Sequence, residues 1–386
     1  MKIKHFICTI VLLMMTTIPA LGQTNIEGET VNETNDDGYF LISVKDDNDK
    51  CGYIDKTGKA VIPCKWEEAE YFYEGLACVK GDNGKCGFID KTGKVVIPCK
   101  WEETRYFSEG LAYVVDDNDK WGFIDKTGKV VIPCKWEIAT EFSEGLACVK
   151  GDNGKSGFID KTGKEVIPCK WKEVQYFSEG LARVQGDNGK WGFIDKTGKV
   201  VIPCKWMSAY YFSEGLACVK GDNGKRGFID KTGKVVILCK WEAADSFTEG
   251  LACVKDDNDK YGFIDKTGKV VIPCKWKLVL GFSEGLGRME DDNGKWGFID
   301  KTGKLVISCK WVAVDSFSEG LALVKDDNDK YGFIDKTGKV VIPCKWKYAF
   351  SFNKGLASVQ DDNDKWGLIN KTGKMVMECK WKDILW

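Results

Sequence analysis

Histidine is almost missing from this sequence. Its 386 residues include one, His5, which lies in an N-terminal stretch with the marks of a cleaved leader. Without it the chain has no Ser-His-Asp or Cys-His nucleophilic machinery, no histidine general base and no histidine metal ligand. Long apolar runs are also missing. Beyond the N-terminus no segment approaches the roughly eighteen apolar residues of a membrane helix. Neither sign of charge is in excess: 57 Lys and Arg face 58 Asp and Glu, interspersed along the chain. No basic stripe is available for nucleic acid or anionic lipid. Cysteines are plentiful but never take the CxxC spacing of a metal finger, so no zinc site is expected. These absences predict a non-enzymatic chain without metal or cofactor.

What is present starts with MKIKHFICTIVLLMMTTIPALG, residues 1–22. Lys2 and Lys4 precede an apolar core, Phe6–Ile18, and Ala20-Leu21-Gly22 is a small-x-small cleavage site. This reads as a signal peptide cut near Gly22, so the product is expected in the periplasm, at the cell surface or outside the cell. Residues 23–37 are polar, acidic and aperiodic, and read as a linker.

Residues 38–386 are periodic. An Xaa-Gly step recurs every 35 residues, from Cys51-Gly52 to Trp366-Gly367, ten times without insertion or deletion. One unit reads as three short strands, Leu111–Val115, Lys120–Ile124 and Val130–Ile132. The first two are joined by Asp116-Asp117-Asn118-Asp119 and the last two by Asp125-Lys126-Thr127-Gly128-Lys129. Gly128 suits the φ > 0 position of a type I turn with a G1 bulge. Pro133 is expected to end the third strand. Trp136, Ala139 and Phe142 are spaced by three, which fits one helical turn. Closing the hairpins on this reading sets Gly122 opposite Tyr113. Both faces of a unit are partly apolar, so units must stack. The expected fold is therefore all-β: an open, solenoid-like array of ten three-stranded repeats, with a β-propeller as the alternative. On this reading no blade is divided between the chain ends, and ten units exceed the usual propeller.

Several motifs have a plainer reading than their chemistry suggests. Asp125-Lys126-Thr127-Gly128 matches part of a phosphorylated-aspartate motif, yet it recurs in every unit and fits a turn. Gly122…Gly128-Lys129 has the wrong spacing for a phosphate loop. Asp116-Asp117-Asn118-Asp119 lacks the distal Glu of a calcium loop. Ten cysteines, Cys64 to Cys379, share one repeat position and read as small packed thiols, with bridges between neighbouring units as the alternative. The ten tryptophans from Trp66 to Trp381 are expected to pack between units.

The run KWGFIDKTGKVVIP…KW…A…FSEGLA resembles the WG-repeat (KWG-repeat) family of bacterial proteins over residues 38–386. The resemblance implies an all-β repeat array, frequently exported, with no catalytic residues to carry over. The name-giving position departs from the pattern, holding Trp only at Trp121, Trp191, Trp296 and Trp366. Elsewhere it holds Tyr261, Tyr331, Arg226, Cys51, Cys86 or Ser156.

Variation on a repeated frame marks where binding can reside. Trp121, Trp191, Arg226, Tyr261, Trp296, Tyr331 and Trp366 are the candidate binding residues. The first, second, fourth and fifth residues after each conserved Trp vary as well. The expected function is an exported scaffold for protein–protein or cell-surface interaction. The alternative is a carbohydrate-binding module that stacks sugars on the repeated Trp and Tyr rings, so the expected partner is a protein or a cell-surface glycan.

Overall fold

A computed structural model describes residues 40–385. The signal peptide and linker expected over residues 1–37 lie outside them. The described residues form ten four-stranded antiparallel sheets and, among them, no helix. Each sheet is a blade in a closed ring, a ten-bladed β-propeller. The open, three-stranded array is thereby corrected in three respects.

First, a fourth strand exists. In the third blade the order is Glu103–Thr104, Leu111–Val115, Trp121–Asp125 and Val130–Trp136. The segment after each conserved Trp is extended rather than helical. Its spacing of three comes from a β-bulge. In the fifth blade Val174 pairs with Val184 and Phe177 with Ala182, so three residues oppose two. A bulge brings residues three apart to the same face, as a helical turn would.

Second, the ring closes. Asp383–Leu385 pairs with Leu41–Lys45 and completes the first blade from the far end of the chain. Ile384 is buried there, and Ile42, Val44 and Ile54 share a core with Trp366, Leu368 and Met377. On the face carrying the turns between second and third strands, ten ion pairs link neighbouring blades. They run from Lys50–Asp82 to Lys330–Asp362, and Lys365–Asp47 closes the circle.

Third, the register is one residue off the expected one. Gly122 faces Val114, and Tyr113 faces Phe123. The connecting turn is five residues long, closed by the Asp116 N–H on the Lys120 carbonyl at 3.0 Å. Asp119 takes φ 59°, which the sequence alone does not announce. A shift of one residue exchanges the faces of a strand.

The Xaa-Gly glycine has a steric cause. Opposite it the fourth strand bulges through Pro133-Cys134-Lys135 and runs over the third strand. A Cβ on Gly122 would lie 2.6 Å from the Ile132 carbonyl and 2.7 Å from the Cys134 amide. Asp125 accepts from the Thr127 and Lys129 amides, and Gly128 adopts φ 82° over Ile97 of the preceding blade.

The core lies between blades. Trp136 is buried with Leu111, Phe123 and Ile132 of its own blade and Ala139, Phe142, Ala147 and Val149 of the next. Lys135 caps its ring at 4.8 Å. The other face is held by a glutamate clasp at the two-residue turns of blades two to nine, the tenth blade carrying Lys354 instead. Glu109 adopts φ 53°, and its carboxylate accepts from the Gly145 amide of the next blade at 3.1 Å and pairs with Lys161 at 3.0 Å. The sixteen cysteines of the described residues are free thiols.

Candidate binding surface in the seams and on the inner strands

Neighbouring blades approach through the first strand of one and the second strand of the blade before, as Glu68–Tyr73 does with Leu41–Lys45. In a ring of radial sheets the spacing grows outward, so these strands are the inner ones. The fourth strands, with alternating exposure, form the rim. The residues after each conserved Trp therefore lie on the inner wall or at the seam beside it.

The seven candidate residues all open their third strands, and they stand in the seams. Trp121 is half-buried against Tyr113, with ring centroids 4.6 Å apart. Trp191 lies under the Arg183 guanidinium at 5.2 Å. Arg226 covers the Tyr210 ring at 4.7 Å and reaches the Cys218 sulfur at 4.0 Å. Tyr261 carries the Lys255 ammonium at 5.5 Å. Trp296 packs on the core between the eighth and ninth blades. Tyr331 is buried beside Tyr348 at 5.0 Å. Trp366 is buried and stacked on Phe350 at 5.3 Å. These side chains are engaged by neighbours and offer edges more than open faces.

The partner at each seam is the middle residue of the second strand, set diagonally on the same face. The pairs are Tyr113 with Trp121, Arg183 with Trp191 and Cys218 with Arg226. Sequence reasoning marked only the second member of each pair. The first reaches the next blade, as when Ser43 Oγ donates to the Ala69 carbonyl at 3.0 Å.

Open aromatic faces sit on the inner strand instead. The fifth residue after the conserved Trp is Tyr71, Tyr106, Tyr176 and Tyr211 in blades two, three, five and six. It is Ser246, Gly281, Ser316 and Ser351 in blades seven to ten. Tyr71 is 36% exposed and Tyr176 41%. Tyr176 stacks on Tyr211 at 4.2 Å with planes 16° apart, and the Arg183 guanidinium lies over the Tyr211 ring at 4.2 Å. Tyr73 meets Tyr106 across a seam at 4.5 Å. At this position one arc is mostly tyrosine, broken by Glu141 in the fourth blade, and the other is serine or glycine, with Phe350 exposed one residue earlier in the tenth. Glu70 and Asp245 reach water on this wall, yet the surrounding protein raises both carboxyls above the ordinary range. Solvent contact with desolvation is what a concave wall imposes.

Between the second and third blades the seam opens into a cleft of about 320 Å³, lined by Glu68, Glu70, Cys78, Lys80, Cys86, Glu103 and Arg105. Among the described residues no group of His, Cys, Asp and Glu is arranged to hold a metal ion, and no helix is long and apolar enough to cross a membrane.

The model of the WG containing repeat matches ten consecutive segments: 52–86, 87–121, 121–155, 157–191, 191–225, 227–261, 261–296, 296–331, 331–366 and 366–385. The chain belongs to the WG-repeat family. No curated protein matches the sequence. Among solved structures it is similar to the computationally designed Ika8 protein, at 12% identity and a TM-score of 0.36, over 69% of this chain and 95% of that one. It is also similar to BamB from Moraxella catarrhalis, at 11% identity and a TM-score of 0.36, over 69% and 90%. A third similarity is to the extracellular domain of a putative hybrid two component system from B. thetaiotaomicron, at 10% identity and a TM-score of 0.25, over 89% and 58%. Likenesses this distant carry no functional argument. The propeller rests on the strand pairing and the ring closure of the WG-repeat chain itself.

Proposed function

We propose that this WG-repeat chain is an exported, non-enzymatic scaffold that binds a partner protein or cell-surface component along the aromatic arc of its inner wall. One observation carries the reading. The frame is the same in every blade, while the fifth residue after the conserved Trp is tyrosine in blades two, three, five and six, Glu141 in blade four, and serine or glycine in blades seven to ten. Packing needs no tyrosine at a position where three other blades use serine. Exposed tyrosines bring large contact area at low entropic cost and recur in binding surfaces. Glycan binding is the second reading, favoured by the exposed rings of Tyr71 and Tyr176.

The test replaces Tyr71, Tyr106, Tyr176 and Tyr211 with serine together. Blades seven, nine and ten already carry serine there, so the variant is expected to fold, with a melting temperature lowered by the loss of the Tyr73–Tyr106, Tyr176–Tyr211 and Arg183–Tyr211 contacts. Photo-crosslinking to isolated cell-envelope proteins and binding to a glycan array are read in parallel. Loss of capture or of array signal by at least about tenfold, roughly 1.4 kcal/mol, supports the arc. Undiminished binding by a folded variant rejects it. Binding of a glycan that also survives replacement of Trp121, Trp191, Tyr261, Trp296, Tyr331 and Trp366 rejects the seam aromatics as its site.

A further inference from the structure

We propose that Cys78 and Cys86 form a dithiol site in the cleft between the second and third blades, and that this site exchanges with small disulfides. The inference stands independently of the binding role. Every blade places the middle residue of its second strand diagonally against the first residue of its third. The second blade alone among the ten fills both positions with cysteine. Elsewhere the same diagonal brings Tyr113 onto Trp121 and Arg226 to Cys218. In the second blade both thiols line the 320 Å³ cleft, and each donates to a backbone carbonyl of the third blade, Cys78 to Thr104 at 3.7 Å and Cys86 to Glu102 at 3.9 Å.

The two sulfurs are not equivalent. Cys78 lies deeper, with its sulfur 3.7 Å from the Thr104 carbonyl. The neighbouring Cys86 and burial raise its own thiol. The Cys78 thiol beside it holds the Cys86 thiol below the ordinary range, against the effect of burial and with help from Lys80. The repeated cysteines of the fourth strand differ. Burial pushes the thiols of Cys64 and Cys134 up to about 11. Cys86 is 9% exposed and Cys78 5%, so the cleft is the route by which a disulfide reaches them, and Cys86, the less buried thiol and the one held low, is the entering nucleophile.

The exchange balances as follows. Cys86 thiolate attacks one sulfur of a disulfide RSSR, a Cys86–SR bond forms, and RS⁻ leaves and takes a proton from water. Cys78 then gives its proton to solvent and attacks the Cys86 sulfur. A second RS⁻ leaves and is protonated. The cysteine pair loses two electrons, and the reagent gains them as two RSH. Diagonal neighbours lie farther apart than directly opposed ones, so the resulting bridge is expected to be readily reduced.

The experiment uses the full chain, reduced and freed of thiol, then exposed to glutathione disulfide near neutral pH. Remaining thiols are blocked with N-ethylmaleimide, and the protein is digested with trypsin. The peptides Trp66–Lys80 and Cys86–Lys91 are unique in the sequence, so their linkage is read directly by mass. The linked pair is expected to form at least about tenfold faster than the glutathione adduct on Cys64. Cys78→Ser should stop the reaction at a glutathione adduct on Cys86. Cys86→Ser should leave Cys78 as slow as the fourth-strand thiols. These variants reproduce the Ser43/Cys51 and Cys148/Ser156 pairs of the first and fourth blades, so loss of fold is not expected, and a circular dichroism spectrum checks it. Reaction at Cys86 no faster than at Cys64, whose tryptic peptide 60–65 is also unique, overturns the proposal. So does linkage of Cys86 to a cysteine other than Cys78.

Discussion

Removing residues 383–386 tests whether the ring is closed. The deleted strand supplies three paired residues against Ser43, Val44 and Lys45 and buries Ile384 at 2% exposure. A buried isoleucine contributes about 2–3 kcal/mol. About three backbone hydrogen bonds add roughly 1 kcal/mol each. The loss is thus about 5 kcal/mol, before any gain from Lys382 with Asp49, an exposed pair that contributes little. That is a large fraction of the 5–15 kcal/mol typical of a domain. It falls on the one joint where chain continuity does not hold neighbours together. The measurements are the urea midpoint, the hydrodynamic radius and amide exchange of Leu41–Lys45. Truncation should lower the midpoint, enlarge the radius and strip protection from that strand, while the middle blades keep theirs. An open array would lose only a frayed end. An unchanged midpoint with full protection at Leu41–Lys45 would refute closure.

Three other perturbations follow from the frame. Gly122→Ala drives a Cβ into the Ile132 carbonyl and Cys134 amide, and should cost about 1–3 kcal/mol or more by overpacking in urea melts. Asp119→Gly relieves a left-handed non-glycine residue at a position where other blades carry Gly154 or Gly189, and should stabilise by about 0.5–1 kcal/mol in the same melts. The turn aspartates give a pH dependence of definite sign. Hydrogen bonds from Thr127 hold the Asp125 carboxyl below its ordinary range. Its stabilisation is therefore present above the unfolded carboxylate range, near pH 4, and is lost as pH falls through the lower folded value. The tenth blade uses Asn370, which accepts the same bonds from Thr372 and Lys374. Asp125→Asn should thus keep the turn and reduce the acid sensitivity of the melting temperature.

The period, the inter-blade tryptophans and the Asp125–Lys129 turn were legible because each depends on local chemistry. Gly128 announces its own φ, and Trp136 has nowhere to pack but against the next unit. The register was hidden because the left-handed residue of the preceding turn is an aspartate in half the blades, and Asp119 carries no such announcement. The fourth strand was hidden because a bulge imitates helical spacing between Val174 and Phe177. Closure was hidden because it rests on three residues at the end of the chain, and its partner Leu41–Lys45 is more than three hundred residues away. The candidate seam residues were found by their variation. Their diagonal partners on the second strand were missed, although the pairing of Cys78 with Cys86, eight residues apart, needs only the hairpin to be drawn.

Function in such a ring has to be sought where its tenfold symmetry fails. A position that is identical in every blade can be explained by packing, as with the Trp136 class between blades or the Gly122 class beneath the bulge. The Lys–Asp circle is likewise complete and so distinguishes no blade from another. The inner strand behaves differently. Its backbone repeats, its first and third residues after the conserved Trp support pairing and the core, and its fifth residue is tyrosine in four blades, Glu141 in the fourth blade and serine or glycine in blades seven to ten. Glu70 and Arg105 add charge on the aromatic side, where they line the cleft between the second and third blades. A symmetric frame that holds an asymmetric wall gives a ligand one orientation in the ring, and no packing requirement of the blades demands that asymmetry.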